Sequence, residues 1–376
     1  ILAQGVFSFD FRYCTIDMGK TQKRIVPFHE FSILSSWFAF ISLTLSETCV
    51  ISQQVAREVD EKGHINLLQT QALRNGWTGM SPGDEKLRRG HRTLLQLDLF
   101  KRSRTSMSTM EVELKKGNQS TGIMMPLIGL GAAIWPASTM QASIKMFLAQ
   151  GGKLIDTAIL YGHPPVGEVL QSVMRERGLT RSQFWVTSKI LPQAANTSEQ
   201  TVALVDQSLK DLGLLYIDLF LIHWPGDANK EIWSGLIQAR NAGKLKAIGV
   251  SNFVPEQITE MEEATGERPS VNQIYYNPWV DDKVHQNVKW CQDHGILVQA
   301  WGSLHSKYHT GLENPKVQAV AKKYGVTPAQ VVLRWTLHQG VAVIPAATSE
   351  QHIKEDLAVG NFELDAAEAS PSYFKT

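Results

Sequence analysis

Four polar residues of this sequence have side chains that could act together on a proton: Asp156, Tyr161, Lys189 and His223. Each stands at or just beyond the end of a short apolar run, where a strand gives way to a loop. A tyrosine has an ordinary pKa of about 10, but a nearby lysine cation stabilises the phenolate and a carboxylate can hold that lysine in place. We therefore expect Lys189, held by Asp156, to lower the pKa of Tyr161. His223 would then hydrogen-bond a carbonyl oxygen arriving beside Tyr161, with Trp224 as an apolar wall.

Taken singly, each of these residues has an ordinary structural explanation. Asp156 can cap a turn, and Tyr161 can pack its ring while its hydroxyl stays in water. Lys189 can be a surface lysine, and His223 can be a satisfied histidine of the core. A common site therefore requires a fold that brings separate strand ends to one rim.

Strand-like apolar runs alternate with amphipathic helical stretches in a regular order that could build such a rim. The predicted strands cover residues 126–131, 153–156, 184–189, 217–223, 247–252, 271–274, 297–301 and 341–345. The predicted helices cover residues 138–150, 165–177, 197–212, 229–242, 255–265, 282–294, 315–339 with a break at Thr327 and Pro328, and 349–358. Eight strand–helix units within roughly 250 residues, with no GxGxxG after the first strand, favour a closed (β/α)8 TIM barrel over an open doubly wound sheet. In that α/β fold the carboxyl ends of the strands share the catalytic rim.

Residues 1–109 depart from this pattern and predict a poorly ordered N-terminal extension to a barrel of residues 110–370. Residues 31–45 form an uncharged run after a basic approach, as in a signal or anchor sequence. The run is shorter than the roughly 20 apolar residues that span a bilayer, so a buried or unstructured segment is the alternative. Residues 81–110 are basic and rich in Ser and Thr, which predicts a disordered linker or the end of a transit peptide. A hairpin over residues 115–122 is expected to plug the amino-terminal mouth of the barrel.

Composition limits the classes of partner. Lys and Arg number 37 against 36 Asp and Glu, so the net charge of +1 does not indicate nucleic acid or an anionic membrane as the main partner. Three cysteines lack any CxxC or Cys/His spacing, which argues against a metal site and against a disulfide framework. We therefore expect a reducing, cytoplasmic compartment, with organelle targeting by the extension as the alternative. The expected oligomeric state is a monomer.

Several motifs follow one another along the chain: DTAILYG with VGEVL, TSKI, LFLIHWP, IGVSNF and VNQIYYNP. In this combination the sequence resembles the aldo-keto reductases, from about Met110 to Leu364. The resemblance implies a (β/α)8 barrel that binds a nicotinamide dinucleotide without a Rossmann motif and reduces a small-molecule aldehyde or ketone to an alcohol. No metal is needed, because hydride comes from the cofactor and the proton from a tyrosine.

The resemblance also implies roles by position. Tyr161 corresponds to the general acid, Lys189 and Asp156 to the groups that tune its pKa, and His223 to the group that orients the carbonyl. The implied substrate pocket contains Trp224 and Trp135, although GLGAAIW shifts Trp135 from the family's usual spacing.

The implied cofactor site draws on four parts of the chain. Ser251, Asn252 and Gln273 would hold the nicotinamide carboxamide, and Trp301 would stack under the nicotinamide ring. The remaining implied contacts are Gly302, Ser303, Leu304, Ser349, His352, Glu355 and Asp356.

The segment after the last strand departs from the family's pattern. Where the family reads IPKS with an Arg five residues past the Ser, this chain reads IPAATSEQHIKED. Ala346 and Ala347 replace the Lys and Ser, and His352 replaces the Arg, so two cations that would grip the 2′-phosphate of NADPH are missing. Asp356 stands where an Asn usually meets the adenine. The expected cofactor is NADPH, with NADH or dual use as the alternative.

Two other functions stay open from the sequence. A barrel without activity could use bound nucleotide to regulate a partner protein, with residues 1–110 as the docking segment. A Schiff-base lyase could use Lys189 at its strand end. The intact set of Tyr161, Lys189 and His223 argues against the first of these.

Overall fold

The computed structural model describes residues 110–117, 119–304 and 311–375, and the backbone of two short strands before them. The chain divides into two compact units, Ile1–Met80 and Ser81–Thr376. In the first unit, β1 (Tyr13–Asp17) pairs with β2 (Lys23–Pro27) as an antiparallel hairpin. The predicted signal-like run 31–45 and nearly all of the predicted linker 81–110 lie outside the described residues. No helix within the described residues is long and apolar enough to cross a membrane.

Eight parallel strands form the centre of the second unit. They are β5 (Gly129–Gly131), β6 (Leu154–Asp156), β7 (Trp185–Ile190), β8 (Ile217–Ile222), β9 (Leu245–Ser251), β10 (Val271–Tyr275), β11 (Leu297–Trp301) and β12 (Val341–Val343). Neighbours in the chain are neighbours in the sheet. A parallel bridge between Ile128 and Val343 joins the last strand to the first, and the Val343 N–H donates to the Leu127 carbonyl at 2.8 Å. The predicted (β/α)8 barrel is confirmed.

Helices surround the strands in the predicted order. They are α1 (Ala137–Ala149), α2 (His163–Arg177), α3 (Ser198–Leu212), α4 (Asn229–Asn241), α5 (Pro255–Thr265), α6 (Asp282–Asp293), α7 (Pro315–Tyr324), α8 (Pro328–His338) and α9 (Glu350–Leu357). The break between α7 and α8 has a local cause. Gly325 ends α7 in the left-handed conformation, and the Thr327 hydroxyl caps α8 by accepting from the Gln330 N–H. The predicted break is confirmed, and Pro328 stands at the first position of α8, where its missing N–H costs nothing.

A β-hairpin closes the amino-terminal end of the barrel. Its strands, β3 (Glu111–Lys116) and β4 (Gln119–Pro126), pair antiparallel. Leu114 and Met125 are fully buried in one cluster with Leu154, Trp185 and other residues near the amino ends of barrel strands. Burying an aliphatic side chain of this size stabilises a fold by about 1.5–3 kcal/mol. The predicted plug is therefore confirmed, and it leaves the carboxyl ends of the strands as the open face.

Candidate active site

The barrel brings the four predicted catalytic residues to one rim. Asp156 ends β6, Lys189 is the next-to-last residue of β7, and His223 directly follows β8. Tyr161 ends a 3₁₀ turn, Ile159–Tyr161, in the loop after β6. Three of the four, Asp156, Tyr161 and His223, line a cavity of about 370 Å³, and Lys189 lies behind it. The rim predicted from strand ends is thus the wall of one cavity.

Lys189 and Asp156 form a buried ion pair. Their exposed fractions are 1% and 2%, and the Lys189 ammonium donates to Asp156 Oδ1 at 2.5 Å. The same ammonium donates to the Thr157 carbonyl at 2.9 Å. Breaking a buried pair by removing one partner costs about 3–5 kcal/mol, because the other charge is left uncompensated. This arrangement excludes the alternative of a surface lysine.

His223 is a neutral imidazole at the cavity wall. Its Nε2 lies 3.4 Å from the Tyr161 hydroxyl, and the two rings meet edge to face with centroids 5.8 Å apart. Burial first, and the Lys189 cation second, lower the pKa of His223 to about 4. Its Nδ1 is buried without a hydrogen-bond partner. An uncharged ring nitrogen therefore stands beside the tyrosine hydroxyl at neutral pH.

The pKa of Tyr161 is shifted opposite to the sequence-based expectation. Burial raises the pKa of Tyr161 to about 12, and the Asp156 carboxylate adds to the rise. The Lys189 ammonium lies 5.3 Å from the centre of the tyrosine ring, but it is already paired with Asp156 at half that distance. The expectation of a lowered value was wrong for the free protein, because it left out the burial of the phenol first and the balancing charge of Asp156 second.

The predicted carboxamide contacts are joined by hydrogen bonds among themselves. The Ser251 hydroxyl donates to the Gln273 carbonyl at 2.8 Å and accepts from Asn252 Nδ2 at 2.9 Å. Asn252 has a positive φ of 64°, which asparagine tolerates better than most residues. Its Oδ1 accepts from the Trp301 indole N–H at 2.9 Å. Ser251, Asn252, Gln273 and Trp301 all line the cavity.

Trp301 packs against two other aromatic side chains. Its ring centre lies 4.9 Å from that of Tyr275 and 6.2 Å from that of Trp224. Gly302, which follows it, has a φ of +66°, and a Cβ added there would lie 2.5 Å from the Tyr275 ring. Glycine is thus required at this position on both steric and conformational grounds. The predicted contacts Gly302, Ser303 and Leu304 line the same cavity.

The structure separates the two predicted substrate-pocket tryptophans. Trp224 lines the cavity, whereas Trp135 is 70% exposed and is not among the lining residues. Ala133 lines the cavity instead, two residues nearer the end of β5. The sequence analysis did not select Ala133 or the lining residues Gly131, Ile344 and Pro345, and it named Ala346 only as the place of a missing phosphate contact. Their position at or just beyond the ends of β5 and β12 was the available signal, although apolar residues there look like ordinary loop residues.

The predicted contacts on α9 lie away from this cavity. The Ser349 hydroxyl caps the helix by accepting from the His352 N–H at 3.2 Å. His352 is exposed, and Glu355 is half-buried. Asp356 is 6% exposed, and burial together with Glu355 raises its pKa to about 7. Of the segment after β12, Ile344, Pro345 and Ala346 line the cavity, whereas none of the predicted contacts from Ser349 to Asp356 does.

Metal binding needs several His, Cys, Asp or Glu side chains close together. Within the described residues, no cluster of three or more His, Cys, Asp or Glu side chains could hold a metal ion. Cys291 is buried and free, and burial raises the pKa of its thiol to about 11. The thiol is therefore protonated at neutral pH and a poor ligand.

Comparison with known proteins gives the family. The model of the Aldo/keto reductase family matches residues 127–371, which is about two thirds of the chain. The chain belongs to the aldo/keto reductase family. The match begins two residues before β5 and includes every residue of the cavity wall described above. The part of this aldo-keto reductase that the family model matches is therefore the barrel.

Individual relatives agree with that assignment. The reductase is 36% identical over 246 residues to an uncharacterized oxidoreductase of Bacillus subtilis. The aligned region covers 65% of this chain and 86% of the relative. It is 34% identical over 245 residues to the glyoxal reductase of the same organism, with the same coverage. Among solved structures, an aldo-keto reductase of Bombyx mori in complex with NADP superposes with a TM-score of 0.64 and 30% identity, covering 70% of this chain and 92% of that one.

Proposed function

We propose that this reductase converts an aldehyde or ketone to an alcohol with Tyr161 as the proton donor. The observation that carries the proposal is the convergence of the Tyr161 hydroxyl and His223 Nε2, 3.4 Å apart, on the wall of the cavity that Trp301 also lines. A carbonyl oxygen beside them, within hydrogen-bond distance of both, would meet one acid and one ring nitrogen. This geometry suits general acid catalysis, which requires a donor within hydrogen-bond reach.

His223 would orient the carbonyl while remaining uncharged. With its pKa near 4, the imidazole carries one proton, and the Nε2–H tautomer would donate to the substrate oxygen. Tyr161, with its pKa near 12, is protonated throughout the neutral range and so carries the proton that the product alcohol needs. Lys189 would then stabilise the phenolate that remains, because its ammonium faces the tyrosine ring.

The cavity wall fits the nicotinamide end of a dinucleotide. The aromatic face of Trp301 offers a stacking surface, and Ser303 Oγ is buried without a hydrogen-bond partner. Asn252 and Gln273 bring amide groups that match a carboxamide. When bound, a reduced nicotinamide supplies the hydride. The lysine-based lyase mechanism has less support, because Lys189 is held as an ammonium by Asp156 and a Schiff base needs a free amine.

For the other end of the cofactor we propose weak discrimination between NADPH and NADH. The segment after β12 offers Ala346 and His352 in place of two cations, and the nearby Lys354 is already paired with Glu350 at 2.8 Å. Dissociation constants for both nucleotides should therefore be of similar size. In the double variant Ala346→Lys with His352→Arg, the constant for NADPH should fall at least tenfold, since charge-assisted bonds to phosphate contribute about 1.5–3 kcal/mol each. An unchanged NADPH to NADH ratio would contradict this location of the phosphate contact.

Small carbonyl compounds are the proposed substrates. Ala133 and Ala346 contribute only small side chains to the cavity wall, which supports tolerance of varied carbonyl substrates. Two relatives are named for reduction of small dicarbonyls: the glyoxal reductase of Bacillus subtilis and the methylglyoxal reductase of Escherichia coli. We include glyoxal and methylglyoxal in the first substrate panel for that reason.

The proposed acid is tested by Tyr161→Phe. The full chain is incubated with NADPH or NADH and the aldehyde panel, and nucleotide oxidation is followed. The variant should lose at least about 100-fold in kcat, the usual contribution of a positioned acid, while the nucleotide dissociation constants stay within about twofold. Full activity in Tyr161→Phe would refute the assignment. A wild-type chain that binds nucleotide but oxidises none of it would favour the regulatory alternative.

A further inference from the structure

Behind the cavity wall, one buried glutamine contacts a residue of the proposed cofactor site. Gln273 on β10 and Gln299 on β11 are register partners on neighbouring parallel strands. Gln273 lines the cavity, whereas Gln299 is fully buried and is not a lining residue. The Gln273 amide nitrogen donates to Gln299 Oε1 at 2.7 Å. Within the described residues, the side chain of Gln299 hydrogen-bonds to the site through Gln273.

The same amide nitrogen also contacts the catalytic ion pair. Gln273 Nε2 donates to Asp156 Oδ2 at 2.8 Å, while the other oxygen of that carboxylate accepts from Lys189. An amide nitrogen has two hydrogens, and both are used here. The reverse orientation would set the Gln273 carbonyl oxygen against a carboxylate, which is repulsive. Asp156 and Gln299 together fix the amide so that Gln273 Oε1 is left as the free acceptor.

The far end of this chain of hydrogen bonds is unsatisfied. Gln299 Nε2 is buried and has no hydrogen-bond partner. A buried donor without a partner reduces stability, so an apolar side chain of the same shape would be expected at a position that serves packing alone. The unsatisfied donor is the consequence of using the oxygen of Gln299 to hold Gln273.

We propose that Gln299 is a positioning residue for the nicotinamide site. By accepting from Gln273, it keeps the Gln273 oxygen available to the N–H groups of the nicotinamide carboxamide. Through the same amide it connects that contact to the Asp156–Lys189 pair. This inference rests on the proposed function, because it presumes a nicotinamide nucleotide in the cavity.

The test compares two substitutions of Gln299 in the full chain. Gln299→Met keeps the length of the side chain and removes both the acceptor and the unsatisfied donor, whereas Gln299→Glu keeps the acceptor. Dissociation constants for NADPH and NADH are measured by quenching of tryptophan fluorescence, and Tm is measured without nucleotide. Gln299→Met should raise both constants about three- to tenfold, the effect of one hydrogen bond, without lowering Tm. Gln299→Glu should bind within about twofold of the wild type.

Three results would overturn the positioning role. They are unchanged nucleotide binding in Gln299→Met, equal weakening in the Met and Glu variants, and weakening that accompanies a lower Tm, which indicates a structural role. Failure of the proposed function gives a different result. If the cavity takes no nicotinamide nucleotide, the wild-type chain itself binds neither one. If only the reductase activity is absent, the wild-type chain binds nucleotide without oxidising it, and the comparison of the Gln299 variants still applies.

Discussion

Replacing Asp356 by Asn should stabilise the protein by an amount that grows with pH. Asp356 on α9 is 6% exposed, and burial, with Glu355 as a second cause, raises its pKa from 3.8 to about 7. In the unfolded chain the same carboxyl ionises near 3.8. Between these two values the unfolded state has released a proton that the folded state still holds, so stability falls as pH rises through that window.

The magnitude follows from the two pKa values. A shift from 3.8 to about 7 is about 3 units, and each unit corresponds to 1.36 kcal/mol. The loss is near zero below pH 3.8, about 1.5 kcal/mol at pH 5 and about 4 kcal/mol at pH 8. Asn has nearly the same shape and no ionisable group, so Asp356→Asn should recover these amounts.

Urea unfolding of the full chain at pH 5 and pH 8 measures the effect. Glu350→Gln is the matched control, because Glu350 lies on the exposed face of the same helix and bonds to Gln150 and Lys354 at the surface. The control should show no gain that grows with pH. A gain from Asp356→Asn that is equal at both pH values would refute the reasoning, since it would come from packing rather than from ionisation.

Three further predictions concern the cavity and its supports. Lys189→Met should lower the unfolding free energy by about 3–5 kcal/mol, because it leaves Asp156 unpaired. The double variant with Asp156→Asn should regain that stability but not the activity. Thermal melts measure the stability, and kcat measures the activity. His163 is buried, and burial lowers its pKa to about 4. The stability that its neutral form contributes is complete above pH 6.5 and is lost as pH falls toward 4, because the unfolded chain takes up the proton first. In urea unfolding, His163→Gln should remove about 3 kcal/mol of this acid sensitivity. Gly302→Ala forces a Cβ against the Tyr275 ring and should weaken nucleotide binding at least tenfold, whereas no change in fluorescence quenching would argue against the stacking role of the adjacent tryptophan.

The sequence predicts the barrel and its rim well because both depend on patterns within single segments. Each strand is a short apolar run, and the residue at its end is read directly from the chain, as for Asp156 and His223. The break before α8 is likewise local, since Thr327 and Pro328 act on their own helix. Such features need no knowledge of the neighbouring strand.

Features that depend on register between strands were not predictable in the same way. Gln299 precedes Trp301 by two residues, but only the pairing of β11 with β10 sets it opposite Gln273. Trp135 is a residue that the sequence motif placed in the substrate pocket, but the loop after β5 leaves its side chain exposed to solvent. Burial and charge balance are also spatial properties, which is why the predicted direction of the Tyr161 pKa shift was wrong.

The raised pKa of Tyr161 changes what Lys189 has to do in the proposed reaction. With a pKa near 12, the phenol already carries its proton across the neutral range before the substrate arrives. The alkoxide that forms when hydride reaches the carbonyl carbon is a stronger base than this phenolate, so the proton still moves downhill to the product. The lysine cation is then needed after the transfer, to stabilise the phenolate. We therefore expect the rate of reduction to be flat from about pH 6 to 9, whereas a fall in rate with an apparent pKa between 7 and 9 would show that Tyr161 ionises much more readily in the working enzyme.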